Sequence, residues 1–138
     1  MEVKEKIFNV QTTRRAEMID ITGQVGSIVR SAGVKTGEVL VFCPHTTAAI
    51  TINENADPDV QHDMLLTLDE MFPQNRAGYR HSEGNSDAHI KSSLIGCSER
   101  IPVTDKHLML GTWQGIYFCE FDGPRNRKVF VQVVDKDS

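Results

Sequence analysis

Residues 97–134 have the sequence CSERIPVTDKHLMLGTWQGIYFCEFDGPRNRKVFVQVV, and this stretch decides the fold of the chain. Its β-branched and aromatic residues are concentrated in four segments that predict β-strands, at 97–103, 107–111, 113–121 and 127–134. The intervening DGPRN, residues 122–126, has the Gly and Pro of a tight turn and predicts a hairpin between the last two strands. The four strands therefore resemble a meander, in which neighbouring strands run antiparallel.

The segments before residue 97 alternate between strand and helix patterns. Strands are predicted at 2–10, 18–22, 38–43 and 46–53, and helices at 23–32, from Asp57 to about Phe72, and at 86–95. The expected helix N-caps are Thr22, Asp57 and Ser86, and the expected helix ends are Gly33 and Gly96. Because this order is not a strict βαβα alternation, we predict a single α+β domain, residues 1–138, with mostly antiparallel sheets and about three helices.

The composition restricts the class of partner. Lys and Arg total 15 against 19 Asp and Glu, which gives a formal net charge of -4. We therefore expect no broad basic surface for nucleic acid or an anionic membrane. The N-terminal MEVKEKIFNV lacks an apolar signal segment, and no run approaches the roughly 18 apolar residues of a membrane span. We expect a soluble, cytoplasmic protein whose partner is a small molecule.

The three cysteines are far apart in the sequence. Cys43, Cys97 and Cys119 all lie in apolar runs. An odd number at such spacing fits reduced thiols better than a disulfide framework or a Cys-rich zinc site. We expect all three to be buried and free.

The strongest functional signal lies in YRHSEGNSDAHIKSSLIG, residues 79–96. His81 and His89 are eight residues apart, and His89 falls in the first turn of the predicted helix 86–95. There the positive end of the helix dipole disfavours imidazolium and keeps the ring neutral, the form that binds metal or accepts a proton. The free N–H groups of the same turn can bind phosphate or another anion.

A third histidine, His45, lies between the predicted strands 38–43 and 46–53, at a joint where side chains can be presented to a ligand. Three neutral imidazoles with an open fourth position are a common catalytic zinc arrangement. His45, His81 and His89 are therefore candidate metal ligands, if the fold brings them together. Acid/base catalysis and hydrogen-bonded structural roles remain open as alternatives.

Four further side chains are candidates for binding an anionic substrate. The hydroxyls of Thr46 and Thr47 can bond a phosphate or orient the neighbouring histidine, although both are also ordinary strand residues. Arg125 and Arg127 can clamp an anion through forked hydrogen bonds, or belong to a solvated turn.

Two side chains elsewhere can also serve a site. Asp63 lies at the edge of the apolar face of the second predicted helix, from where it can reach a ligand, whereas His62 points to solvent. Trp113 can stack on a planar heterocycle or be buried in a strand. The sequence has no Walker loop, G-x-G-x-x-G, G-x-S-x-G or H-E-x-x-H motif, which removes the most easily recognised enzyme classes.

Three motifs together resemble the YjbQ family, also called the secondary thiamine-phosphate synthase family. They are HTTAAITINENADPDVQHD at 45–63, YRHSEGNSDAHIKSSLIG at 79–96 and IPVTDKHLMLGTWQGIYFCEFDGPRNRKV at 101–129. The resemblance runs from about residue 17 to the C-terminus. It implies a compact α+β fold with a β-sandwich-like core, usually assembled as a homotrimer. It also implies that His45, His81 and His89 gather in one pocket, and it adds Asp63, Asn85 and Trp113 as site positions.

The family name implies a reaction that joins a pyrimidine diphosphate to a thiazole phosphate and releases pyrophosphate, giving thiamine phosphate. Such a transfer needs cations or hydrogen-bond donors that stabilise the leaving diphosphate. The N-terminus of helix 86–95, Arg125, Arg127 and a divalent metal can supply them. A nitrogen-rich ligand set favours zinc, whereas Mg²⁺, the usual partner of diphosphate, prefers oxygen ligands.

The leading hypothesis is thus a metal-assisted enzyme acting on a small phosphorylated molecule, with thiamine-phosphate synthesis as the named reaction or as a side activity. This hypothesis assigns catalysis to His45, Asp63 and Trp113. It assigns phosphate binding to Thr46, Thr47, Asn85, Arg125 and Arg127. It assigns metal ligation to His45, His81 and His89. Two alternatives are a metal-free hydrolase or lyase that uses the histidines as acid and base, and a non-catalytic trimeric module that binds a metabolite.

Overall fold

A computed structural model describes residues 2–137. In chain order its elements are β1 (Glu2–Gln11), β2 (Glu17–Asp20), α1 (Thr22–Ala32), β3 (Thr36–Phe42), β4 (Ala48–Glu54), α2 (Pro58–Met71), α3 (Ser86–Ile95), β5 (Ser98–Thr104), β6 (His107–Leu108), β7 (Gln114–Glu120) and β8 (Asn126–Asp135). The predicted α+β class and the three predicted helices are confirmed.

Two antiparallel sheets enclose the main core. One has five strands in the order β1-β8-β3-β5-β6, and the other has three in the order β2-β7-β4. The core is built from the apolar side chains of both sheets and of α1, among them Val25, Val29, Val39, Val41, Ile50, Ile116, Phe118, Val129, Val131 and Val133. Because β3 and β8 alternate buried and less buried residues, one face of the large sheet is apolar and turned inward. The sandwich-like core is confirmed.

The strands after α3 do not form the expected meander. β7 lies between β2 and β4 in the small sheet, whereas β8 lies between β1 and β3 in the large one. The turn at 122–126 therefore carries the chain from one sheet to the other, and the predicted hairpin is wrong. Thr12, just after β1, exchanges backbone and side-chain hydrogen bonds with Arg125 and holds this turn against the edge of the large sheet.

The predicted strand 107–111 is also too long, because only His107 and Leu108 pair with β5. The next pairing partner along β5 is Pro102, whose carbonyl accepts a hydrogen bond from Met109. Proline has no N–H to donate in return, so the ladder ends there.

The helix boundaries follow the sequence signals with two corrections. Asp57 caps α2 by accepting a hydrogen bond from the N–H of Asp59, and α1 and α3 end at Gly33 and Gly96, as predicted. Thr22 is not a cap, since its hydroxyl binds Asp20 and accepts from Ile116. Ser86 is not a cap either, because the N-cap position of α3 is held by Asn85.

The helix α2 packs more loosely than its apolar face suggested. Leu65 and Leu68 lie against a second apolar cluster that includes Tyr117 and Phe121, but within residues 2–137 no residue of α2 is fully buried. His62 on this helix is 71% exposed, as predicted. None of the three helices in this range is long and apolar enough to cross a membrane.

The cysteines are free, but they are not all buried. Cys43 and Cys119 are buried, as expected, whereas Cys97 is exposed. Cys97 lies between the end of α3 and the start of β5, where the chain emerges from the core. The expectation of three buried thiols is therefore wrong for Cys97.

Candidate functional site

The imidazoles of His81 and His89 lie against each other. Their ring centroids are 5.4 Å apart and their planes meet at 88°, an edge-to-face arrangement. His89 is in the first turns of α3, and His81 belongs to the polar loop that connects α2 to α3. The loop folds back over the start of the helix, so two residues that are eight apart in sequence become neighbours.

An open cleft surrounds this pair. It consists of two depressions of about 440 and 470 Å³ that share Tyr79, His81 and Ser86 as lining residues. Each volume lies within the range of small-molecule sites. Arg76 lines one depression and Arg80 the other, and within residues 2–137 neither guanidinium has an ion-pair partner. The cleft therefore combines two imidazoles with two cations that are free to bind an anion.

The N-terminus of α3 has no side-chain cap. Asn85 occupies the N-cap position, but its amide Nδ2 donates to Asp122 Oδ2 at 2.8 Å instead of its Oδ1 accepting from the helix. Asn85 Oδ1 and the hydroxyl of Tyr79 are both buried, and neither has a hydrogen-bond partner in the described part of the chain. Such groups carry a desolvation cost that a bound water or ligand would relieve.

A buried ion cluster anchors the first turn of α3. Asp87 is fully buried and accepts two hydrogen bonds from Arg15, at 3.0 and 3.1 Å, and one from Lys91 at 2.9 Å. Burial alone raises the pKa of Asp87, but the hydrogen bonds from Arg15 and Lys91 outweigh it and hold that pKa below its usual value. The helix that carries His89 is thus fastened to the loop between β1 and β2.

The third predicted ligand, His45, has a partner of its own. It lies between β3 and β4, and its Nε2 accepts a hydrogen bond of 2.9 Å from the backbone N–H of Lys128. The proton of the neutral ring is therefore on Nδ1. Burial and the positive charge of Arg127 lower the pKa of His45. The neighbouring Thr46 is close to α3, because its carbonyl accepts from Ser92 at 2.6 Å.

The predicted anion clamp has a different arrangement. Arg127 is 4% exposed and forms a two-pronged ion pair with the fully buried Glu120, through Nε at 2.8 Å and Nη2 at 2.5 Å, and the same Nη2 donates to the hydroxyl of Thr47 at 2.9 Å. Arg125 binds the carboxylate of Asp122 at 2.9 Å. Arg127 and Thr47 therefore belong to a buried network between the two sheets, and Arg125 to the surface turn.

The remaining site candidates are spread over the chain. Asp63 is exposed on α2 and accepts from His62 at 3.0 Å. Trp113 is 63% exposed, immediately before β7. In the range 2–137 no group of three His, Cys, Asp or Glu side chains is placed to hold a metal. A single chain therefore brings His81, His89 and Asn85 into one region, and leaves Asp63 and Trp113 elsewhere on its surface.

Reasoning from the sequence missed Tyr79, Arg76 and Arg80. All three belong to the polar loop that contains His81, and Tyr79 and Arg80 immediately precede that histidine. The sequence did contain a signal for an anion-binding residue here, because Arg80 is a cation next to the strongest candidate histidine in a polar loop. Arg125 and Arg127 drew attention instead because two arginines in a Gly-Pro turn resemble a clamp.

Comparison with known proteins gives consistent matches over nearly the whole chain. A family model described as "UPF0047 protein YjbQ-like" matches residues 6–136. The chain is 53% identical to UPF0047 protein YugU of Bacillus subtilis over 129 residues, covering 94% of this chain and 98% of that protein. It is 50% identical to a UPF0047 protein of Methanocaldococcus jannaschii, covering 92% and 91%.

Solved structures of similar chains have the same fold. A crystal structure from Clostridium acetobutylicum, described as an uncharacterized conserved protein of the YjbQ/UPF0047 family, matches with a TM-score of 0.91 and 55% identity, covering 94% of this chain and 99% of that one. A YbjQ-like protein of unknown function from Sulfolobus solfataricus matches with a TM-score of 0.93 and 35% identity, covering 98% and 99%. These descriptions state a family and no substrate.

Proposed function

The chain belongs to the YjbQ-like UPF0047 family, and from that premise we propose that it is an enzyme acting on a small phosphorylated molecule at the cleft around His81 and His89. The candidate reaction is the union of a pyrimidine diphosphate with a thiazole phosphate, giving thiamine phosphate and pyrophosphate. The observation that carries the proposal is the pair of touching imidazoles beside the uncapped N-terminus of α3.

The cleft has the groups that phosphate chemistry needs. Arg76 and Arg80 each line one of the two depressions that share His81, and they can hold phosphate oxygens through forked hydrogen bonds. The first-turn N–H groups of α3 add neutral donors and the positive end of the helix dipole. Together these groups would stabilise the negative charge that develops on a leaving diphosphate. One imidazole can take the proton of the attacking group while the other donates.

A divalent metal, zinc before magnesium, is part of the proposal. His81 and His89 would supply two nitrogen donors, which suit zinc better than magnesium. A catalytic zinc ion usually has three protein ligands, so the pair in one chain is one donor short, and the Nε2 of His45 is engaged by Lys128. A single chain therefore supplies only part of a zinc centre, and the chemistry above is assigned to the side chains alone.

We also propose that the chain assembles as a homotrimer. The outer face of the large sheet carries exposed or half-buried apolar side chains, including Ile7, Phe42 and Phe130, and α2 leaves Leu66 and Met71 exposed. Apolar surface of this kind is commonly covered by another subunit. Light scattering after size-exclusion chromatography should give three times the 15.5 kDa of the chain. A monomeric mass at micromolar concentration would contradict trimer formation.

The central experiment compares three proteins: wild type, His89→Ala and His62→Ala. His62 is the matched control, because it is a histidine on an exposed helix face away from the cleft. Each is incubated with pyrimidine diphosphate and thiazole phosphate, with Zn²⁺, with Mg²⁺ or with a chelator, and thiamine phosphate and pyrophosphate are measured. We expect both products from wild type and His62→Ala, and a loss of at least about tenfold in His89→Ala. Equal turnover by all three proteins would refute the assignment of the site.

The close imidazole pair also favours a second function, metal-free acid/base catalysis in hydrolysis or lyase chemistry. Two adjacent titratable rings are suited to act as base and acid in one step. This alternative predicts turnover that resists chelation and has a bell-shaped pH profile. Zinc content separates the two functions: near-stoichiometric metal in wild type that is lost in His89→Ala supports the metal-assisted enzyme. Ligand binding without turnover would instead support a metabolite-binding module.

A further inference from the structure

Two of the three cysteines face each other at the end of the pairing between β3 and β5. The register pairs Phe42 with Ser98, so the next pair outward is Cys43 with Cys97. The N–H of Cys43 donates to the carbonyl of Cys97 at 2.7 Å, which continues the ladder by one pair. Opposed residues that share a ladder hydrogen bond have Cα atoms roughly 5.5 Å apart and side chains on the same face.

This spacing is compatible with a disulfide. Cα atoms of disulfide-bonded cysteines are usually about 4.4–6.8 Å apart, and their Cβ atoms about 3.5–4.5 Å apart. The Cα spacing of a hydrogen-bonded pair lies inside this range, whereas its Cβ spacing, roughly 5.5 Å, exceeds it. A bond between these residues would therefore need the Cβ atoms to approach by about 1 Å, and it would be strained and easy to reduce.

The two thiols differ in access. Cys97 is exposed and meets an oxidant in solution first, whereas Cys43 is 1% exposed on the core side of β3. Cys43 is therefore shielded from direct contact with an oxidant in solution. Cys119, the remaining thiol, is also buried and lies in the other sheet. A solvent-accessible cysteine with a second cysteine beside it is the common arrangement of a redox-sensing pair.

We infer that Cys43 and Cys97 form a redox-active pair that a peroxide converts to a disulfide. In the first step the Cys97 thiolate takes one oxygen from hydrogen peroxide and becomes a sulfenic acid, and hydroxide leaves. In the second step the sulfur of Cys43 attacks the sulfur of Cys97. The S–O bond breaks, the S–S bond forms, and the hydroxyl group leaves as water with the proton of Cys43. Two thiols are oxidised and one peroxide is reduced to two waters.

The position of the pair links it to the histidines. Cys43 precedes His45 by two residues, and Cys97 follows the last residue of α3 by two. A disulfide would join the segment that carries His45 to the helix that carries His89. The inference itself does not depend on the proposed function.

The test treats the full chain with a small excess of hydrogen peroxide and then alkylates the remaining thiols under denaturing conditions. For wild type we expect the alkylated thiols to fall from three to one, with Cys43 and Cys97 joined in one peptide pair after digestion. Dithiothreitol should restore all three thiols. Cys119→Ala is the matched control and should form the same bond, whereas Cys97→Ser should form none. Cys97 is exposed, so this variant is expected to fold.

Three results would overturn the inference. Oxidation of Cys97 to sulfinic acid while Cys43 stays a free thiol would mean that the two sulfurs do not meet. A disulfide between the Cys97 residues of two chains, seen as a doubled mass on a non-reducing gel, would assign the reactivity to Cys97 alone. A bond between Cys43 and Cys119 would show that the opposed pair is not the reactive one.

Discussion

Replacement of Arg127 by Met should be the most destabilising change to the buried polar network. Glu120 is 0% exposed and receives hydrogen bonds from Arg127, from Thr12 at 2.8 Å and from the N–H of Asp122 at 3.0 Å. Arg127→Met removes the only cation in this set and leaves a buried carboxylate without a charge partner, a change that costs about 3–5 kcal/mol. This is a large part of the roughly 5–15 kcal/mol that stabilises a typical domain.

The loss should depend on pH in a defined direction. Burial acts to raise the pKa of Glu120, but the hydrogen bond from Arg127 and those of its neighbours bring it below its usual 4.5. The stabilisation of the wild type is therefore fully present above pH 4.5 and declines as the pH falls through the folded-state value. Without Arg127, the effect of burial dominates and raises the pKa of Glu120, so the variant takes up a proton at a higher pH than the wild type does. The difference in stability between the two proteins should therefore begin to shrink above pH 4.5, as the variant is protonated, and shrink further below pH 4.5, as the wild type loses its stabilisation.

Urea unfolding followed by circular dichroism at pH 7 and pH 4 measures both effects. Circular dichroism is preferable to fluorescence because the single tryptophan, Trp113, is already exposed in the folded chain. Arg125→Met is the matched control: Arg125 is 53% exposed in its pair with Asp122, so its loss should cost at most about 1 kcal/mol. Adding Glu120→Gln to Arg127→Met should recover part of the stability. Equal losses at both arginines, or a loss that does not change with pH, would refute the reasoning.

Three smaller changes test other features. Tyr79→Phe removes a buried hydroxyl that has no partner within residues 2–137, so thermal stability should be unchanged or slightly higher. Calorimetric titration with phosphate should show weaker binding to this variant than to wild type. Equal affinity would exclude the hydroxyl from the site. Gly37→Ala would place Cβ 1.9 Å from the carbonyl oxygen of Val134 and should cost on the order of 3 kcal/mol in urea. Gly23→Ala, with open space among the described residues, is its control. Lys106 has a φ of 67° in the hairpin between β5 and β6, a backbone conformation that strains a residue with a Cβ atom. Lys106→Gly should therefore raise the free energy of unfolding by about 1 kcal/mol. No gain would mean that the turn is not strained.

The candidate site was only partly predictable, and the reason differs from residue to residue. His81 and His89 were found because one loop and one helix turn separate them, and such local geometry follows from Gly84 and from the start of α3. The buried ion pair of Arg127 was not predictable, because nothing in GPRNR shows that β8 returns to the other sheet and places this side chain against Glu120. His45 was recognised as a residue at a strand joint, but its bond to Lys128 joins residues that are 83 positions apart.

The sequence by itself determined the local elements of this protein. Alternating apolar residues, proline and glycine positions and the cap at Asp57 act over a few residues, and they specify the three helices, most of the strands and an α+β class. Only the tertiary structure decided how strands pair across long separations. Each strand offers the same backbone donors and acceptors, so the choice of partner depends on which arrangement buries the apolar faces of β3 and β8 together. That choice placed β7 and β8 in different sheets, buried Glu120 with Arg127, and set Cys43 opposite Cys97.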